Sequence, residues 1–514
     1  MPKRNFFLFC LFFSVNIFFG FLAIYLGKDL NWDLRNYHYY NGYAFLKDLS
    51  FYNIAPAQVQ SFFNPFLDVL YYVLISKLPQ YLVAFLLGFL QAFNFWFLFL
   101  ISFHFLEILP FKKRFFLAFF SSILSLYTPI FLSELGGTMG DSLLSSLVIF
   151  SLYCFMVAKN SIFLFFAGFL LGLISGLKYT FMTYSLVLVL VFILFNRREF
   201  LRLKFFSIVL GLFFGFLVSD GYWIFLLYKN YKNPFFPFFN HIFKSPYVIE
   251  SSIKDPRWVV QNVREYFMLP LHFFGIKYKE ISELSFCSPS VPVALFFSIL
   301  YIISSVFLKK RNLYEKKLLF LSVFYVFSFA LWGYYFSYYR YVIVLEILSP
   351  MLILFFFFFV LQNIPFWRNL LTIVFVLLLF ITTKIPNWGR YPWDTKDYFG
   401  VRPSAAFQVH NALILMTSYD AFSYIIPYFS NDNRFVRLES LMNYIVTDLW
   451  WQKIDNIIFH SKKTPYLLCP SNYLSSSQKI LSKYNLKILS SSCQTISTYL
   501  DQFSFCRLEK NQNK

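Results

Sequence analysis

Apolar runs of about eighteen residues or more recur along this chain, the length a helix needs to cross the hydrocarbon core of a bilayer. That feature excludes most soluble folds. The first run, Phe6 to Leu26, follows Pro2, Lys3 and Arg4. It is long for a signal-peptide core and no small-residue cleavage site follows it, so it is expected to stay as a helix. Only 14% of the 514 residues are charged and 58% are hydrophobic, against roughly 25% charged in a soluble globular chain. The chain therefore reads as an all-α polytopic membrane protein.

Helices are expected at 6–26, 82–105, 115–133, 141–158, 161–177, 179–196, 205–227, 289–308, 318–336, 341–361 and 369–384, about eleven crossings. Basic residues then set the orientation. Lys3 and Arg4, Lys112 to Arg114, Lys159, the cluster from Arg197 to Lys204, the cluster from Lys309 to Lys317, and Arg368 all fall on one side. That side is expected to be cytoplasmic, with the N-terminus inside and the C-terminus outside. The formal net charge of +20 is read as this topology signal, not as a nucleic-acid-binding surface.

Three long segments fall on the opposite face: 27–81, 228–288 and the tail 385–514. Residues 1–384 are thus expected to form the membrane domain. Within the first segment, NPFLDVLYYVLISKLP is apolar but short, and is read as a helix at the membrane interface. The tail is richer in Ser, Asn, Asp and Lys. There TPYLLCP and NLKILSSS read as strands and SSQKILSKY as a helix, so a small extracytoplasmic α/β domain is expected. A disulfide between Cys469 and Cys493 is left open on that oxidising side. No CxxC pair or metal-ligand spacing is visible. No internal repeat is visible either, which argues against a transporter built from inverted halves.

Ionisable groups beside apolar runs are costly and mark function. Asp33, Arg35 and His38 follow the first helix in NWDLRNYHYYNGYAFL. Glu134 and Asp141 flank the turn ELGGTMGDS, Lys178 lies in SGLKYT, Asp220 ends a helix, and Arg340 and Glu346 lie in YYFSYYRYVIVLE. Under the topology above all face the outer side, which implies one outward-facing cavity. Cations there can neutralise a phosphate, and a carboxylate or histidine can deprotonate a hydroxyl. Sugar nucleotides are cytoplasmic, whereas a lipid-phosphate-linked sugar reaches such a cavity through the bilayer.

This layout, with Asp33 in NWDLRNYHYYN soon after the first helix and Asp29 beside it, resembles the GT-C class of membrane glycosyltransferases. The resemblance covers the helical region to about residue 384. Where the class often carries an acidic pair, this chain has Asp-Leu-Arg. The resemblance implies a GT-C-like fold in a bacterial inner membrane. It also implies a polyprenyl-phosphate sugar donor and an envelope glycan, lipid or protein as acceptor. Asp33 and Asp141 would be the catalytic acids, with Arg35, His38, Lys178 and Arg340 on the substrate. No resident cofactor is implied, and a divalent cation shared by Asp33 and Asp141 stays open.

Each residue also has a plainer reading. Asp33 can cap a helix or pair with Arg35, and Asp141 can be a helix N-cap. Asp29 reads as an exposed cap. Asp220 and Glu346 can be counter-ions of Lys178 and Arg340. Tyr37, Tyr39, Tyr40 and Tyr43 read first as a membrane-interface belt, and second as a sugar platform. Two other functions stay open: an O-antigen-type polymerase or ligase using Arg257 and Arg264, and a non-enzymatic transporter of lipid or polysaccharide.

Overall fold

Every stretch expected as a membrane helix is helical in the computed structural model, which describes residues 2–158, 160–196, 203–251, 256–307, 313–393 and 397–510. Of the basic clusters, Lys159, Arg197, Arg198, Arg202 and Lys309 to Arg311 lie outside these described residues. Among the described residues, six helices are long and apolar enough to cross a membrane: Phe6–Tyr25, Gln80–Phe105, Leu203–Tyr231, Tyr314–Tyr335, Tyr339–Val360 and Pro365–Thr382. Asp141–Val157, Ser161–Leu177, Tyr179–Phe195 and Ser290–Val306 are apolar but shorter. The run expected at 115–133 is two helices, Phe111–Leu126 and Pro129–Glu134. Pro129 lacks the N–H that would continue the first helix, and its fixed φ starts the second.

The chain forms two compact units. The first comprises Met1–Leu26, Ala84–Asp220 and Lys254–Trp388. Its core is the helix Ile343–Val360, apolar on all faces, as a central helix must be. The span containing it is 83% buried, whereas Pro365–Thr382 is 6% buried and presents Ile373, Leu377 and Ile381 outward. An apolar surface that large is stable only against lipid. A further contact joins Ser161–Leu177 to Leu203–Asp220 through Gly168, Gly172, Gly211 and Gly215. A Cβ at Gly172 would collide with the Leu212 carbonyl, and one at Gly215 with the Phe169 carbonyl. This is the small-residue packing that lets membrane helices approach closely.

The second unit comprises Gly27–Val83, Gly221–Ile253 and Gly389–Lys514. Strands β1 (Lys28–Asp29) and β2 (Arg390–Tyr391) pair antiparallel. The larger sheet contains β3 (Ala412–Met416), β4 (Arg434–Arg437), β5 (Thr464–Pro470), β6 (Leu486–Ile488), β7 (Gln494–Ser497) and β8 (Gln502–Lys510). Strand β3 lies between β4 and β5, parallel to both. The long β8 is antiparallel to β5, β6 and β7. The strands expected at TPYLLCP and NLKILSSS are β5 and β6, with the helix Leu474–Ser482 between them.

The core of this unit draws Phe62, Trp223, Tyr231 and Phe236 against Leu413, Trp450 and Leu467. Buried Arg437 ties the same segments together, donating to the carbonyls of Pro56 (2.7 Å), Ser418 (2.7 Å) and Asp420 (2.6 Å). The disulfide joins Cys493 to Cys506, not to Cys469. Cys469 is buried on β5, opposite Ser504. Cys493 immediately precedes β7 and faces Cys506 on β8, with Cα atoms 4.1 Å apart.

The tyrosines of the first loop are not an interface belt. Tyr37, Tyr39, Tyr40 and Tyr43 are all under a tenth exposed. They lie on the π-helical turn Leu34–His38 and the helix Tyr39–Leu46. Tyr39 packs on Phe399 at 4.9 Å, Tyr40 accepts from Asn53, and Tyr43 donates to Asn431. A buried tyrosine hydroxyl needs a partner, and for Tyr40 and Tyr43 the second unit supplies it.

Candidate functional site

The turn between Glu134 and Asp141 is built on glycines. Gly136 and Gly140 take positive φ, 77° and 83°, a conformation that costs other residues. The reversal returns Glu134 to the start of the helix Asp141–Val157, where its Oε2 accepts from the Ser142 N–H at 2.9 Å. Glu134 therefore does the capping that was expected of Asp141. Gln91 accepts from the Gly136 N–H at 2.5 Å, and Asn94 donates to the Ser142 carbonyl at 2.7 Å. Two polar side chains of the span Gln80–Phe105 thus clamp both ends of the turn.

The Asp141 side chain is thereby released for other work. It is fully buried and pairs with Lys178 and with Arg340, whose Nε lies 3.0 Å away. Lys178 follows the last turn of Ser161–Leu177 and also donates to the Met139 carbonyl at 3.0 Å. Arg340 lies on the short turn Tyr339–Val342. The Tyr341 ring lies 5.6 Å from the Lys178 ammonium and 5.7 Å from the Arg340 guanidinium, within cation–π range of both.

Glu134 makes the cluster unequal. Burial, with Asp141 beside it, pushes the Glu134 carboxyl well above its ordinary range, against the pull of Arg340 and Lys178.

The other two acids each have hydrogen-bond partners of their own. Glu346 accepts from the Tyr339 hydroxyl and from the Ile130 N–H at 2.9 Å, capping the helix Pro129–Glu134 from a neighbouring helix. Asp220 accepts from the Tyr179 hydroxyl at 2.7 Å. Arg257 and Arg264 are both exposed.

Asp33, Arg35 and His38 belong to the second unit, and Asp141, Lys178 and Arg340 to the first. Asp29 is buried and accepts from Asn31, whose own Oδ1 accepts from the Leu34 N–H at 2.8 Å. Asn31 is thus the cap, and Asp33 stands half-buried in the first turn with no capping bond. Arg35 pairs at 3.2 Å with Asp501, which also accepts from Tyr424. His38 is buried with Nδ1 2.5 Å from Asp68. This contact fits an Nδ1–H donating to the Asp68 carboxylate, and Nε2 is buried as well. Among the described residues, no protein group bonds that Nε2, and no group of three or more His, Cys, Asp or Glu is placed to hold a metal ion.

No family model matches the chain, and neither a curated protein nor a solved structure is significantly similar to it.

Asp68, Asp501, Gln91 and Asn94 were not singled out in the sequence. Asp68 carried a usable signal, a lone acid in the apolar stretch NPFLDVLYY. Asp501 carried none, because it lies in a polar turn far along the chain from Arg35.

Proposed function

We propose that the chain is a membrane glycosyltransferase of the GT-C type, acting on a polyprenyl-phosphate sugar at the extracytoplasmic face. The acceptor is an envelope glycan, lipid or protein. The observation that carries this reading is the meeting of Asp141, Lys178 and Arg340, from three separate turns, in one buried cluster. About eleven crossings, with the N-terminus inside and the C-terminus outside, complete the proposal.

An acceptor hydroxyl attacks the anomeric carbon, and the bond from that carbon to the phosphate oxygen breaks. The phosphate leaves with the electron pair, while the hydroxyl proton passes to a carboxylate base. Lys178 and Arg340 stabilise the charge growing on the phosphate, and Asp141 holds both cations in place.

The test uses membranes supplied with a polyprenyl-phosphate-linked sugar. Arg340→Gln is expected to lower the rate by about 100- to 1000-fold, as for loss of one transition-state charge contact. An unchanged rate would remove Arg340 from the reaction.

A further inference from the structure

A second site lies in the first unit, away from the Asp141 cluster. A cavity of about 220 Å³ opens where five helices end: Asp141–Val157, Ser161–Leu177, Met182–Phe195, Leu203–Tyr231 and Leu313–Tyr335. Its apolar wall is two aromatic pairs, Phe155 with Phe192 at 5.4 Å and Phe195 with Phe320 at 5.3 Å. Its polar lining includes Lys204, Lys316 and Lys317, and among the described residues no carboxylate lines it. Lys317 is engaged with Glu107 at 2.8 Å and with the His104 carbonyl at 3.2 Å. Lys204 is half-buried and Lys316 exposed, and they come from two different helices.

We infer that this cavity binds an anionic phospholipid of the surrounding bilayer. Helix ends are where the hydrocarbon of a membrane gives way to headgroups. An amphiphile with acyl carbon at one end and phosphate at the other matches a pocket lined by both aromatic rings and lysines. Water-facing lysines that serve only as a topology signal need no such wall. The leaflet follows from the orientation proposed above, while the site itself does not depend on it or on the transferase reading.

The test is thermal unfolding of the purified full chain in a mild detergent, titrated with phosphatidylglycerol, phosphatidylcholine or inorganic phosphate. Phosphatidylglycerol alone is expected to raise the midpoint. The double variant Lys204→Gln with Lys316→Gln should bind it roughly 30-fold more weakly, at the usual worth of two lysines facing an anionic lipid. Lys204→Arg with Lys316→Arg should keep the binding, and native mass spectrometry should show the retained lipid directly. The proposal falls if phosphatidylcholine or free phosphate stabilises equally, or if the Gln variant binds as the parent does. It also falls if the Arg variant loses binding, or if Lys112→Gln with Lys113→Gln weakens binding as much.

Discussion

Glu134 shows how one residue can serve structure and set charge together. Its carboxyl caps a helix and sits beside Asp141. A carboxyl whose folded pKa is raised holds its proton longer in the folded state. Its stabilising contribution is full below the ordinary value of 4.5 and is lost as pH rises through the folded value. Stability in detergent is therefore expected to fall with rising pH across that window, by up to about 1.4 kcal/mol per pH unit. Glu134→Gln keeps an acceptor for Ser142 and should flatten the slope, read as unfolding midpoint against pH. His38 offers a second check. Asp68→Ala removes the acceptor of the buried Nδ1 and should cost about 1–3 kcal/mol, measured by denaturant titration. These roles were partly legible. Asp141, Lys178 and Arg340 stood out as ions in apolar surroundings, where an unpaired charge is expensive. Their pairing did not stand out, because spacing along a chain says nothing about which turns meet.

At the level of elements, the apolar helices were legible from their length alone. In lipid a backbone must satisfy its own hydrogen bonds, and a single segment can do that only as a helix. The interruption at Pro129 was legible in principle from the ring's effect on the preceding turn, yet the run around it reads as continuous. The glycine contact between Ser161–Leu177 and Leu203–Asp220 is written in the spacing of Gly168, Gly172 and Gly176. Gly172→Leu is expected to destabilise the purified protein by about 1–3 kcal/mol through overpacking. Phe213→Ala, on the exposed side of the partner helix, should leave the midpoint nearly unchanged. Equal midpoints for Gly172→Leu and the parent would show that the helices do not pack through these glycines.

Across the whole molecule, the tail and two loop segments share one core in the second unit. The Cys493–Cys506 bridge closes a short loop, with a sequence separation of 13. Replacing both cysteines by serine should cost about 3 kcal/mol in the loop-entropy account. Intact-mass analysis of protein labelled without reduction should find these two thiols blocked and Cys469 unbridged. Labelling of Cys493 and Cys506 in freshly isolated membranes would place the tail in a reducing compartment and overturn the orientation. The sequence by itself determined that this is a helical membrane protein with a smaller sheet-bearing region, since hydrocarbon admits few alternatives to helix and periodic apolar strands need a sheet. Only the tertiary structure decided that Asp141 holds Lys178 and Arg340, and that Asp68 holds His38. It also decided that the tyrosines of NWDLRNYHYYNGYAFL are core. Composition cannot separate those readings, because a buried tyrosine and an interfacial one have the same amphipathic ring. They differ only in what the rest of the chain brings to the hydroxyl, and for Tyr40 that is Asn53.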